Sequence, residues 1–192
     1  ALQAIGGKAA INSINFEDGA KRLDQVCPLA KKYGASLVFG LIDEDKQAGM
    51  AVTLERKLSI ADRAYQTLTE RWGFDAGEII FDPLVFPAGT GDPNYVGSAT
   101  ATRDAIRELH RRYPDCLTIL GISNVSFGLP TAGREAMNSV FLYDCTQAGL
   151  DMAIVNTAGI KRYASLSPEE IRLCEEVLYK GDANSIATFA AF

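Results

Sequence analysis

Two hydrophobic periods alternate along this chain. Short apolar runs rich in β-branched residues, typical of buried strands, are each followed by a longer stretch whose apolar residues recur at helical spacing. Glycines stand at the ends of several helical stretches, where a residue in the left-handed conformation commonly ends a helix. This pattern predicts five strands, at residues 9–14, 36–42, 79–82, 118–122 and 152–155.

The helical stretches predict a helix after each strand, at residues 19–33, 52–72, 99–113 and 134–148. A last helix begins at Ser167, which is followed by a proline and two glutamates that favour a helix N-terminus. Because a helix connects each strand to the next, the strands are expected to be parallel. The predicted fold class is therefore α/β, a (β/α)8 TIM barrel represented by about five βα units, which is a partial barrel.

Polar side chains stand where the predicted strands end. They are Asn12, Asp43 with Glu44, Asp82, Ser123 with Asn124, and Asn156. Because the carboxyl ends of parallel strands meet at one edge of a sheet, these side chains should line one rim. Strand ends also meet water and turn-forming residues in proteins generally, which explains part of the pattern without a function. A rim of amides and carboxylates suits a flat heterocycle with N–H groups and carbonyls, and does not suit a phosphate.

Asp82 is a single carboxylate within the apolar run 79–86. An unpaired buried carboxylate costs several kcal/mol, so Asp82 should lie at the strand end or be held by donors. Pro83 favours the strand end, because proline lacks an amide donor and keeps the preceding residue extended. Two interpretations remain open: Asp82 is a binding group at the rim, or it caps the following turn.

Composition and charge exclude several classes of function. A net charge of −5 without a Lys/Arg block argues against a nucleic-acid surface, and no apolar run approaches the ~18 residues of a membrane span. Four scattered cysteines and one histidine predict neither a disulfide framework nor a metal site. These features are typical of a cytoplasmic protein with a small-molecule ligand.

Five stretches of the chain resemble one known family. They are Ile11 to Asn15, Asp43-Glu44 with Gln47-Ala48, Ile79 to Pro83, Gly121 to Phe127, and Ala148 to Asn156. Over nearly the whole chain they are similar to the pterin-binding domain of cobalamin-dependent methionine synthase. The resemblance implies a barrel that binds methyltetrahydrofolate as substrate. It also implies that the N5-methyl group is transferred to cob(I)alamin, which is carried by a separate module.

The resemblance also implies roles for individual side chains. Those that match the family's pterin-holding positions are Asn12, Asp82 and Asn124, and we expect Asn156, Ser126 and Asp43 to bind substrate beside them. Asn124 is the catalytic candidate, because an amide can strengthen its hydrogen bond to N5 as charge shifts there. The chain departs from the family at residues 128–130, where Gly-Leu-Pro stands in place of the Ser-Phe-Arg of many members. Any contact made by that arginine is therefore not expected here.

The chain begins just before what resembles the family's fourth strand, so it is expected to be the carboxyl-terminal part of the barrel. Residues 1–181 would form the barrel portion and residues 182–192 a tail. The missing strands would come from the same parent protein or from another chain, and the cobalamin-binding module or a corrinoid protein would be a further partner. Self-association or the tail could also cover the open edge. Two alternatives remain: a fragment or half-subunit that is inactive alone, and a dihydropteroate-synthase-like pterin enzyme.

Overall fold

Five parallel strands in chain order form the single sheet of this protein. The computed structural model describes residues 1–192. The strands are β1 (Ala10–Ile14), β2 (Ser36–Gly40), β3 (Ile79–Asp82), β4 (Leu117–Gly121) and β5 (Met152–Ile154), and each pairs with the next in parallel. With alternating helices they form a curled half-barrel, which confirms the predicted partial TIM barrel.

Six α-helices accompany the sheet. They are α1 (Lys21–Tyr33), α2 (Leu54–Gln66), α3 (Ser98–Arg112), α4 (Thr131–Gln147), α5 (Pro168–Tyr179) and α6 (Ala183–Ala191). Local sequence explains several of their ends. Thr53 accepts a hydrogen bond from the Arg56 amide at the start of α2, and Gly34 ends α1 at a φ of 63° that favours glycine. The predicted helix 52–72 is α2 followed by a short π-helical turn, Thr67–Arg71.

The hydrophobic core is divided into two clusters. The first packs β1, β2 and β3 against α1 and α2, with Phe39 and Phe81 fully buried in it. The second packs β4 against α3, α4 and α5, and Phe141 is fully buried there. Every residue of β2 is buried, because this strand has a neighbour on each side and helices over it. Strands β2 and β3 therefore form the buried centre of the sheet, and the candidate site lies at its carboxyl-terminal edge.

The residues expected to form a tail contain helix α6. Asp182 caps it by accepting a hydrogen bond from the Ser185 amide at 2.7 Å. Ile186 and Phe189 pack against the second cluster, whereas Phe192 is exposed. The helix contacts α5 and takes no part in the sheet.

Both edges of the sheet are open. Strands β1 and β5 each pair with one neighbour only, and Ile154 in β5 is 52% exposed. No helix in the chain is both long enough and apolar enough to cross a membrane.

Candidate functional site

The carboxyl ends of the strands bring polar side chains to one rim, as parallel pairing requires. Asp82 ends β3 opposite Gly40. Asn12 is the third of five residues in β1 and pairs with Val38, so the prediction that this strand ends at Asn12 is wrong, because pairing with β2 continues to Ile14. Asn124 lies in a 3₁₀ turn directly after β4, and Asn156 follows β5. The three asparagines are exposed and Asp82 is half-buried. The rim therefore presents amide groups around one sheltered carboxylate.

Asp82 caps the turn that follows its strand. Its Oδ1 atom accepts a hydrogen bond from the Leu84 amide at 2.9 Å, and its Oδ2 atom has no hydrogen-bond partner within the chain. Leu84 has a φ of 64°, an uncommon value for a residue with a side chain, and its carbonyl accepts a hydrogen bond from the Thr102 hydroxyl at 2.8 Å. The turn-capping interpretation is thus correct for one oxygen. The other oxygen remains available to a ligand.

A buried lysine lies behind this turn. Lys57 in α2 is 0% exposed, and its Nζ donates hydrogen bonds to the carbonyls of Ala51 at 2.7 Å and Pro83 at 2.5 Å. Burial lowers the pKa of Lys57 to about 7, against the opposing attraction of Asp82. Burial likewise raises the pKa of Asp82, while the Leu84 amide and Lys57 lower it. The two groups therefore influence each other's charge.

Sequence reasoning did not single out Lys57, although a signal for it exists. Position 57 falls within the apolar stripe of α2, three residues after Leu54 and four before Ala61. A charged residue in a stripe that packs against the core requires a polar partner there.

The pH dependence of stability should reveal this lysine. Unfolded Lys57 keeps its proton up to about pH 10.5, whereas the folded chain releases it near pH 7. The unfolded state therefore binds more protons above pH 7, and Lys57 should raise the free energy of unfolding by about 1.6 kcal/mol between pH 7 and 8.5. Urea unfolding at several pH values measures this rise.

Lys57→Met is the matched variant for this measurement, because it removes the titrating group and keeps an unbranched chain. Its stability should lack this rise and should fall slightly over the same interval, because burial raises the pKa values of all four cysteine thiols. The interval stops below pH 9 because burial raises the pKa of the Cys27 thiol to about 11, which makes stability fall once the unfolded thiol ionises. An equal rise in both proteins would contradict the assignment to Lys57.

The loop between β3 and α3 connects Asp82 to the Asn124 turn. The Ala88 amide donates to the Val125 carbonyl at 2.9 Å. Gly89 lies so close to Leu129 that a Cβ atom there would be 2.6 Å from its side chain, so a larger residue at position 89 would require the Leu129 side chain to move. The backbone thus fixes the carboxylate end of β3 relative to the amide beyond β4.

Two of the predicted binding residues already have partners within the chain. The Ser126 side chain is buried; its hydroxyl donates to the Ser123 carbonyl at 3.2 Å and accepts from the Arg134 Nε at 3.2 Å. Asn156 accepts a hydrogen bond from the Ala158 amide at 3.2 Å through its Oδ1 atom, but its side-chain NH₂ is exposed. Ser126 therefore stabilises the Asn124 turn, and Asn156 keeps its donors free.

The acids after β2 lie in a different part of the rim. Asp43 accepts a hydrogen bond from Arg56 at 2.7 Å, and Glu44 accepts one from Arg63 at 2.8 Å. Both acids line an open cleft of about 720 Å³, which Phe86 and Tyr95 also line. Asn12, Asp82 and Asn124 do not line this cleft. Asp43 therefore faces this cleft, close in sequence to Gly40, which pairs with Asp82.

The sequence of this chain matches the model of a known protein family. A family model described as "Pterin binding enzyme" matches residues 1–156, which contain all five strands and every candidate residue. The chain belongs to the pterin-binding enzyme family.

Two methionine synthases are similar in sequence to this chain. The chain is 40% identical over 181 residues to methionine synthase of Mycobacterium tuberculosis (strain ATCC 25618 / H37Rv). It is 39% identical over 181 residues to methionine synthase of Mycobacterium leprae (strain TN). Each alignment covers 93% of this chain and 15% of the relative. The chain therefore spans about 15% of the length of these relatives.

Proposed function

We propose that this chain binds methyltetrahydrofolate and positions its N5-methyl group for transfer to cob(I)alamin. The observation that carries the proposal is the Asp82 carboxylate, sheltered at the rim of a pterin-binding family member with one oxygen unengaged. The corrinoid, held by a separate module, would supply the cobalt that takes the methyl group. The similarity to methionine synthases supports this choice within the family.

The carboxylate matches the donor pattern of a pterin. The pyrimidine edge of a pterin carries adjacent N–H groups, and an ionised carboxylate can accept two of them in parallel. The Oδ2 atom of Asp82 is unengaged, and Oδ1 retains a lone pair after accepting the Leu84 amide. The exposed amides of Asn12 and Asn156 can donate and accept beside the ring.

Asn124 would act on N5. Departure of the methyl group from a tertiary amine requires that the nitrogen be protonated or strongly hydrogen-bonded, because an anionic amide is a poor leaving group. An asparagine has no proton to lose near neutral pH, so water would supply the proton. The exposed side chain of Asn124 would strengthen its hydrogen bond to N5 as charge develops, which stabilises the transition state more than the ground state.

The remaining residues have supporting roles in this proposal. Ser126 would orient the Asn124 turn from inside, and Asp43 would contact substrate or its water from the cleft. The strands that complete the barrel would come from the same parent protein or from a second chain, since both edges of the sheet are open. We also propose that the protein is cytoplasmic, as expected from its sequence.

Calorimetric titration with methyltetrahydrofolate tests the proposal. We expect heat of binding with the folate and none with the p-aminobenzoylglutamate tail alone, since the pterin ring is the part recognised. Binding only after the missing strands are added would favour the half-subunit alternative. Preference for a pterin pyrophosphate over the folate would favour the dihydropteroate-synthase-like alternative and contradict our proposal.

Asn124→Ala, placed in a complete enzyme, should slow methyl transfer more than it weakens folate binding. The proposed hydrogen bond strengthens in the transition state, so the rate should fall by about 10²-fold and the affinity by less than tenfold. Single-turnover kinetics and equilibrium binding give the two numbers. Asn184→Ala in the exposed part of α6 is the control and should change neither. Equal losses in rate and affinity would make Asn124 an ordinary binding residue.

A further inference from the structure

Lys57 is a buried cation that the proposed chemistry does not use. Its side chain is fully buried, and no carboxylate lies within 4.0 Å of its ammonium. Two of its three N–H groups donate to the carbonyls of Ala51 and Pro83, and the Phe86 ring centroid lies 5.1 Å away. Burial of an ammonium without a direct ion pair is costly, so a specific structural use is expected.

That use lies in the turn after β3. Lys57 holds the carbonyl of Pro83, which is the residue between the Asp82 carboxylate and Leu84. Leu84 has the left-handed φ described above, and Thr102 holds its carbonyl from α3. Helices α2 and α3 thus contact two successive carbonyls of one strained turn. A turn fixed in this way sets the direction in which the Asp82 carboxylate points.

The charges around this turn form a simple set. Asp82 favours the charged form of Lys57, and Lys57 favours the ionised form of Asp82. Arg56, the next cation along α2, instead pairs with Asp43 at 2.7 Å and lines the open cleft. The other direct contacts of the Lys57 ammonium are the Ala51 carbonyl and the Phe86 ring. The loop before Ala51 carries Asp43, Glu44, Asp45 and Lys46, which line the cleft that Phe86 also lines.

We propose that Lys57 is a positioning residue for the pterin, because its hydrogen bond to the Pro83 carbonyl orients the turn that carries the Asp82 carboxylate. This inference rests on the proposed function of Asp82 as the acceptor of pterin N–H groups. Lys57 itself does not touch the ligand. Its effect passes through the Pro83 carbonyl and through the electric field that it exerts on the carboxylate.

Coupling of this kind is reciprocal. If the charged form of Lys57 favours pterin binding, pterin binding must favour the charged form of Lys57 by the same factor. Bound pterin should therefore raise the pKa of Lys57 from its value of about 7 and lower the pKa of Asp82. A rise of about one pH unit corresponds to a tenfold difference in affinity between low and high pH.

Nuclear magnetic resonance on the unaltered chain measures this coupling without any variant. The Lys57 ¹⁵Nζ and Asp82 ¹³Cγ signals are followed between pH 4 and 10, with and without saturating methyltetrahydrofolate. We expect the Lys57 midpoint to rise by about one unit and the Asp82 midpoint to fall when the folate binds. Midpoints of Lys57 that stay equal in free and bound protein would overturn the proposal.

Lys57→Met provides the second test. At pH 6 we expect at least a tenfold loss of folate affinity, and in the free protein a rise of about one unit in the Asp82 titration midpoint. In the unaltered chain, folate affinity should decline as the pH rises through the pKa of Lys57. This decline should be absent in Lys57→Met. Lys32→Met on the exposed face of α1 is the matched control and should bind as the unaltered chain does.

The two readouts distinguish failure of this inference from failure of the proposed function. A chain that binds no folate would refute the function, but the Asp82 midpoint of free Lys57→Met would still report on the lysine. An unchanged Asp82 midpoint in that variant, with folate affinity equal to that of the unaltered chain, would overturn the inference alone. If Lys57→Met fails to fold, the titrations of Lys57 and Asp82 in the unaltered chain decide whether the inference is correct.

Discussion

Replacing Asp82 with asparagine should lower the affinity for methyltetrahydrofolate by about 2 to 4 kcal/mol, or roughly 30- to 1,000-fold. The substitution turns one acceptor into an NH₂ group that faces a pterin donor, and it removes the negative charge. Stability should barely change. The asparagine oxygen can still accept the Leu84 amide, so the turn keeps its cap. Calorimetric titration and urea unfolding of the same preparation separate the two effects.

Asp92→Asn is the matched control for this change. Asp92 also caps a turn, because its Oδ1 atom accepts a hydrogen bond from the Asn94 amide at 2.9 Å. It lies in the loop before α3, away from the strand end, so the folate affinity of Asp92→Asn should equal that of the unaltered chain. If Asp82→Asn binds the folate normally, the assignment of Asp82 is wrong. If Asp82→Asn unfolds, the carboxylate is required for the turn alone.

Replacing Phe39 with alanine should cost about 3 to 5 kcal/mol of unfolding free energy. Phe39 is fully buried in the first cluster and packs edge-to-face against Phe16, with ring centroids 4.9 Å apart. Its strand β2 pairs with β1 beside Asn12 and with β3 beside Asp82. Loss of the ring therefore loosens both strands that carry the rim, and folate affinity should fall together with stability. Urea midpoints and calorimetry measure the two losses.

Phe127→Ala is the control for this prediction. Phe127 is 65% exposed beyond the Asn124 turn, and an exposed substitution usually changes stability by less than about 0.5 kcal/mol. Similar unfolding midpoints for the two variants would show that the first cluster does not carry the stability of this sheet.

Most of the fold could be predicted from sequence because strands β2, β3 and β5 are largely apolar runs. The predicted strand 118–122 and the observed Leu117–Gly121 differ by one residue at each end, and the predicted 152–155 is observed as Met152–Ile154. The apolar run after Ile79 continues to Phe86, yet the strand stops at Asp82, as the missing amide of Pro83 predicts. Periodicity and one proline were sufficient here.

Helix α6 was harder to predict, since its residues depend on tertiary contacts. The tail sequence has apolar residues at Ile186 and Phe189, but a helix of nine residues is unstable alone and needs packing against other elements. Here both side chains contact the second cluster. The sequence of the helix alone does not specify the surface against which it packs.

The candidate site was predicted as a set of strand ends. The structure places Asp82 at the end of β3, and Asn124 and Asn156 just after β4 and β5, whereas Asn12 lies within β1. The strand pattern, however, does not predict which helix side chains contact the candidate residues. The burial of Ser126 and the pairing of Asp43 with Arg56 depend on side chains from α4 and α2. Their roles, like those of the rim residues, stay predictions until a ligand is bound.

The open edges also restrict which assemblies are possible. A two-fold symmetric dimer through β5 would place two copies of that strand antiparallel, which would end the parallel pairing of this sheet. Head-to-tail pairing of β5 with β1 of a second copy keeps the strands parallel, but two copies supply ten strands instead of the eight of a TIM barrel. A closed barrel therefore needs three strands of different sequence and matching direction, with their crossovers, a segment of roughly 100 residues.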